Sequence, residues 1–194
     1  MSDAPWRDWK TLPADHGLIA LGSNLPSSTH GDSREVLRAA LQSLTVAGVR
    51  IRAAANLYET EPDPPSDQPR FVNSAALVQT ALTPRELLRL LHRTEAEFGR
   101  QRQYRNEARV LDLDLLAFGE QISPPAEPPP HPERISREEF TEIVEFTLPH
   151  PRLHLRQFVL MPLLDLVPYW IHPIRGQTVT ALYADLSVTQ SVSV

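Results

Sequence analysis

The chain has 194 residues, with 19 Lys+Arg against 24 Asp+Glu, 41% hydrophobic residues, 19 prolines and no cysteine. That length suits one domain with or without an insertion, and it buries enough surface to dispense with disulfides or a structural metal. The absent cysteine excludes thiol catalysis, Cys-ligated zinc and iron–sulfur clusters, while a net charge of -5 argues against general nucleic-acid binding.

No apolar run approaches the ~20 residues of a membrane span, and MSDAPWRDWKTLPADHG lacks the apolar centre of a signal peptide, so no membrane association and a cytoplasmic location are expected. Lys10 is the only lysine, which leaves lysine-dependent phosphate loops and Schiff-base chemistry without a candidate beyond the N-terminal stretch.

In chain order, residues 1–16 read as a loosely held tail. Gly17 to Leu21 is a short apolar run ending in Gly-Ser-Asn, a buried strand followed by a turn. Asp32 and Glu35 have capping-box spacing, and Val36, Leu37, Ala40, Leu41 and Leu44 form one helical stripe that should end near Gly48. Val49 to Tyr58 alternates as one strand, with Val49, Ile51, Ala53, Ala55 and Leu57 on one side. A proline-rich loop, Pro62 to Pro69, leads to a strand from Phe71 to Thr80.

Thr83-Pro84-Arg85-Glu86 starts a second helix that Gly99 stops, and Val110 to Phe118 is the last strong strand. The order β-α-β-β-α-β predicts an α+β fold: a ferredoxin-like antiparallel sheet with its helices on one face, plus a C-terminal extension that adds a short helix and edge strands. One domain, 17–184, carries a proline-rich insertion at 121–146, and 185–194 read as a second tail.

The sharpest chemical feature is VLDLDLLAF. Strand alternation puts Val110, Asp112, Asp114 and Leu116 on one face, so two carboxylates stand about 7 Å apart on an otherwise apolar strand and need a counter-charge. Mg²⁺ with phosphate oxygens is one answer, and a neighbouring arginine or an exposed strand end is the other. Arg100, Arg102, Arg105 and Arg109 precede this strand, and guanidinium groups suit bidentate recognition of phosphate.

The Gly22-Ser23-Asn24-Leu25 turn offers backbone amides to an anion, or is a plain turn. Asn73, inside a strand, needs partners for its amide, either backbone or ligand. His150 and His154 have i, i+4 spacing, but Pro149 and Pro151 argue against the helix that a zinc site of this kind requires.

Taken in order, IALGSNL, YETEP, DQPRFVNSAALVQT, LLHRTEAEFGR, ARVLDLDLLAFG and LPHPRLHLRQFVLMPLLDLVP resemble the 6-hydroxymethyl-7,8-dihydropterin pyrophosphokinases of folate biosynthesis, from about Gly17 to Pro168. The resemblance implies a ferredoxin-like fold and transfer of pyrophosphate from ATP to the pterin hydroxymethyl, releasing AMP. It implies two Mg²⁺ ions on Asp112 and Asp114, with Arg100 and Arg109 as catalytic loop arginines. Phe71 and Phe158 would stack the pterin, and Thr60 and Asn73 would meet its edge. Glu95, Arg102, His150 and Arg156 would line the nucleotide site.

Small-molecule substrates are then the expected partners, and the protein is expected to act as a monomer. One departure stands out. Many members carry Arg-Trp before the D-x-D strand, where this chain has Arg105-Asn106 in a loop about one residue shorter. Rival readings of the same features are an RNA-recognition module, a nucleotidyltransferase and a family member without turnover.

Overall fold

The computed structural model describes residues 4–99, 108–123 and 146–191, with side chains to 188. Both capping boxes form. Asp32 accepts from the amides of Arg34 and Glu35 while Glu35 accepts from the Asp32 amide, starting α1, Ser33–Val46. Thr83 and Glu86 make the same exchange ahead of α2, Pro84–Glu97, with Pro84 in its first turn. Gly48 (φ 92°) and Gly99 (φ 88°) follow the helix ends in the left-handed conformation that side chains resist.

The strands are β1 His16–Ser23, β2 Arg50–Ala54, β3 Tyr58–Thr60, β4 Phe71–Gln79 and β5 Asp112–Phe118. They form one antiparallel sheet in the order β2-β4-β1-β5, with β3 also pairing with β4. The single strand expected from Val49 to Tyr58 is thus two. β2 pairs with the far half of β4 as far as Ala54 opposite Ala76, and β3 with its start, Tyr58 opposite Asn73. The register shifts between Ile51 and Ala53, so Ile51 packs in one core and Ala53 in the other. An extra residue in one strand of a pair turns the side chains beyond it to the opposite face.

The sheet separates two cores. Leu37, Leu44, Leu87 and Leu91 of α1 and α2 pack on Ile19, Val78 and Leu113, all with relative exposure of 1% or less. The opposite face, carrying Leu18, Leu77 and Leu116, is covered by α3, Gln157–Leu166, and α4, Val179–Ser191, around a fully buried Trp170. The first two helices therefore share a face, and the C-terminal extension supplies the second layer. Among the described residues it brings helices and an isolated Ile171–Thr178 bridge in place of edge strands.

Neither stretch read as a tail is loose where it is described. Trp6 and Trp9 pack on the second core, Leu12 is 3% exposed, and its amide donates to Glu120 at 2.9 Å. The Lys10 carbonyl accepts from Ile171 at 2.9 Å. Apolar side chains three residues apart hold a segment too short and proline-broken to show a period. Residues 185–191 continue α4. The insertion leaves and re-enters the body at Ser123 and Leu148, whose backbones pair at 2.9 and 3.3 Å, and Phe146 already belongs to the first core. Among the described residues, no helix is long and apolar enough to cross a membrane.

Candidate active site

The functional side chains converge on the second face of the sheet, at the end of β5 that α3 leaves uncovered. Strand register creates the space. Asp112 lies opposite Gly22 and Asp114 opposite Ala20, so two carboxylates face the two small residues of β1. A Cβ added at Gly22 would stand 3.1 Å from Asn73 Oδ1 and 3.7 Å from Asp112 Cβ. The resulting cleft is bounded by Gly22, Asn73, Ser74, Asp112, Asp114 and Phe158.

Each carboxylate has a guanidinium beside it. Arg109 Nη1 is 3.0 Å from Asp112, and Arg156 Nη1 is 3.5 Å from Asp114. Of the two answers left open by the sequence, arginine pairing is therefore present. It does not use up the cations. Among the described residues Arg109 Nε is buried without a hydrogen-bond partner, a donor left unmet. Both arginines also lie over aromatic rings, Arg109 at 5.9 Å from the centre of Phe71 and Arg156 at 5.5 Å from that of Phe158.

A second hollow adjoins the first, bounded by Pro62, Asp63, Pro64, Gln68, Phe71 and Arg109. At the first cleft stands an amide and hydroxyl pair: Asn73, 6% exposed, donates to Thr60 Oγ1 at 2.7 Å. Thr60, Phe71, Asn73 and Phe158 thus gather with Arg109, Asp112, Asp114 and Arg156.

His150 reaches the outer edge of β5, its amide donating to the Leu116 carbonyl at 2.8 Å. Burial pushes its imidazole below the ordinary range, against the pull of the Asp114 carboxylate, and Nδ1 accepts from the Arg152 amide at 3.2 Å. Burial likewise lowers the Arg156 guanidinium, with Asp114 opposing. Glu95 is placed differently. It is 2% exposed on the α2 side and accepts from the Leu113 amide at 2.7 Å, bracing β5 between the two aspartates.

The Gly-Ser-Asn turn does not offer its amides to an anion. Those of Asn24 and Leu25 donate to the Arg109 carbonyl at 3.1 and 3.2 Å. His154 faces Arg175 and the His172 ring, and among the described residues no three His, Cys, Asp or Glu side chains gather as a metal cluster. Arg100, Arg102, Arg105 and Asn106 lie outside the described residues. Asn24, which the sequence offers only as part of a turn, is tied through its side chain to Arg109, Gln68 and Pro69; a polar side chain directly after a buried strand is the signal for it.

Two carboxylates and two guanidinium groups beside aromatic faces, on an antiparallel α+β sheet, define a protein that handles an anionic small molecule next to a flat one. A family model described as 7,8-dihydro-6-hydroxymethylpterin-pyrophosphokinase matches residues 18–168, and the chain belongs to that family. It is 38% identical over 151 residues to the 2-amino-4-hydroxy-6-hydroxymethyldihydropteridine pyrophosphokinase of Pseudomonas aeruginosa, covering 77% of this chain and 79% of that one.

The Bacillus subtilis protein of the same name is 36% identical over 149 residues, 76% of this chain and 75% of that one. Among solved structures, a Plasmodium falciparum HPPK-DHPS chain has a TM-score of 0.64 at 14% identity, a likeness of fold. That match covers 92% of this chain and 44% of the Plasmodium chain.

Proposed function

We propose that this pyrophosphokinase moves the β,γ-pyrophosphoryl group of ATP onto the hydroxymethyl oxygen of 6-hydroxymethyl-7,8-dihydropterin in folate biosynthesis. The observation that carries the site assignment is the adjacency of the Asp112–Asp114 pair, flanked by Arg109 and Arg156, to Phe71, Phe158 and the Thr60–Asn73 pair. In the balanced reaction the hydroxymethyl oxygen bonds to the β-phosphorus, the bond from that phosphorus to the bridging oxygen of AMP breaks, and the hydroxyl proton is released. No protein nucleophile is required, and the chain's work is positioning and charge stabilisation.

Phe71 and Phe158 offer faces to the pterin ring, while Asn73 and Thr60 offer donors and acceptors to its edge. Arg109 is directed to the polyphosphate by its pairing with Asp112, and Arg156 reaches the same cleft from the start of α3. The donor set fits Mg²⁺, which takes one or two carboxylates and completes its shell with phosphate oxygens and water. Asp112 and Asp114 would hold two such ions, which supply charge neutralisation on the polyphosphate. His150, whose basicity burial lowers against the pull of Asp114, belongs to the nucleotide side through the resemblance.

Glu95, Arg100 and Arg102 remain part of the proposed nucleotide and catalytic set through the resemblance. The strand order β2-β4-β1-β5, with α1 and α2 on one face, supports the ferredoxin-like description, and we take the enzyme as a cytoplasmic monomer.

The test is to incubate the protein with ATP, Mg²⁺ and 6-hydroxymethyl-7,8-dihydropterin and to resolve the adenine nucleotides. Pterin-dependent AMP is expected, abolished by EDTA and by Asp112→Ala or Asp114→Ala with the melting temperature retained. Near-normal turnover in both variants would sink the site assignment.

A further inference from the structure

The end of β1 does more than turn the chain. Asn24 is 3% exposed, and its amide N–H and both polar atoms of its side chain are engaged with two other segments. Its Oδ1 accepts from the Arg109 amide at 2.7 Å, and its own amide donates to the Arg109 carbonyl at 3.1 Å. Its Nδ2 donates to Gln68 Oε1 and to the Pro69 carbonyl, each at 3.2 Å. The Asn24 side chain thus fixes the Arg109 amide and ties it to the end of the proline-rich loop, two residues before Phe71, while the backbone amides of Asn24 and Leu25 hold the Arg109 carbonyl.

Arg109 has few other anchors. It precedes β5, outside the ladder to β1, and its side chain spans from the Phe71 ring to Asp112, with Nε unpartnered among the described residues. A long side chain with several rotatable bonds is aimed by its backbone, so the group that fixes the backbone sets where the guanidinium waits.

We propose that Asn24 is a positioning residue for the transfer reaction: it holds Arg109 at the junction of the carboxylate cleft and the Phe71 hollow, acting through Arg109 and touching no substrate. This rests on Arg109 serving the reaction as described under Proposed function. The signature is coupling. Asn24→Ala lowers kcat about tenfold with the KM for ATP near wild type, because the interaction it supports is realised in the transition state. In an Arg109→Ala background the same change costs less than about twofold, since two residues acting through one contact are not additive.

The experiment measures pterin-dependent AMP formation and thermal melting for Asn24→Ala, Arg109→Ala and the double variant. A parallel cycle uses Asn24→Asp, which keeps the acceptor for the Arg109 amide and loses the donor to Pro69. An undiminished Asn24→Ala effect in the double variant, or wild-type turnover in Asn24→Ala, overturns the proposal. A fold lost in both Asn24 variants overturns it too, because the role would then be structural. An unimpaired Arg109→Ala instead rejects the site reading on which the proposal stands.

Discussion

Glu95 separates two roles that the sequence and the structure give to one carboxylate. The resemblance puts it at the nucleotide, whereas the structure buries it on α2 with Oε1 2.7 Å from the Leu113 amide. β5 is the last strand of the order β2-β4-β1-β5, so among the described residues Leu113 has no strand beyond it to accept that N–H, and Glu95 takes the place of one. Glu95→Ala removes a charge-assisted bond to a buried donor, a loss of about 1.5–3 kcal/mol.

At about 2–4 °C per kcal/mol for a chain of this size, melting should fall by roughly 3–12 °C. Glu95→Gln keeps an acceptor for Leu113 and should lose less than half of that. Because Leu113 sits between Asp112 and Asp114, kcat should fall in the same order, wild type above Gln above Ala. Differential scanning fluorimetry and AMP release on the three proteins read both quantities. Unchanged melting in Glu95→Ala together with a raised KM for ATP would refute the brace and return Glu95 to the nucleotide.

Two further outcomes follow from charges away from the cleft. His172 is 4% exposed, and burial first, then His154 and Arg175, push its imidazole down to about 4. Its Nδ1 accepts from the amides of Ile174 and Arg175, both at 3.3 Å, which only a ring unprotonated at that nitrogen can do. Unfolded, the ring titrates near 6.5, so the unfolded chain binds the extra proton first. His172 then contributes stability above that value, which is lost as pH falls toward about 4, by roughly 3 kcal/mol at most.

His172→Phe should flatten the melting temperature against pH across that window; parallel slopes for both proteins would exclude His172 as the cause. Asp165 on α3 accepts from the Asn56 amide and side chain, both at 3.0 Å, and from the Tyr58 hydroxyl at 2.9 Å. Asp165→Ala should cost about 2 kcal/mol, given the partial exposure of the group, and raise the KM for pterin more than that for ATP, because β3 carries Thr60. Equal changes in both KM values would show that β3 does not depend on this tie.

What the sequence made legible was local. Asp32 with Glu35, and Thr83 with Glu86, are short-range exchanges of hydrogen bonds that any chain carrying those residues makes, and both helices begin there. Asp112 and Asp114 share a face because strand side chains alternate. Other features depended on partners remote in sequence. The bulge beyond Ile51 is set by pairing with β4, and it moved Ala53 and Ala55 to the second core against the alternation read from Val49 to Leu57. The N-terminal segment showed no period because its apolar anchors are the three residues Trp6, Trp9 and Leu12, set against a helical layer more than a hundred residues away.

The cleft itself belongs to this second kind. Nothing in VLDLDLLAF says that its aspartates have room for a ligand. Room arises because antiparallel pairing sets Asp112 against Gly22 and Asp114 against Ala20, while further along the same face Leu18 and Leu116 fill the space beneath α3. A one-residue slip of β5 on β1 would turn both carboxylates into the Ile19, Leu21 and Val36 core, where burying two charges is prohibitive. The apolar alternation of Leu111, Leu113 and Leu115 that secures this register is therefore also what presents the acidic pair to the cleft. The stability of the sheet and the placement of the chemistry rest on the same strand pattern.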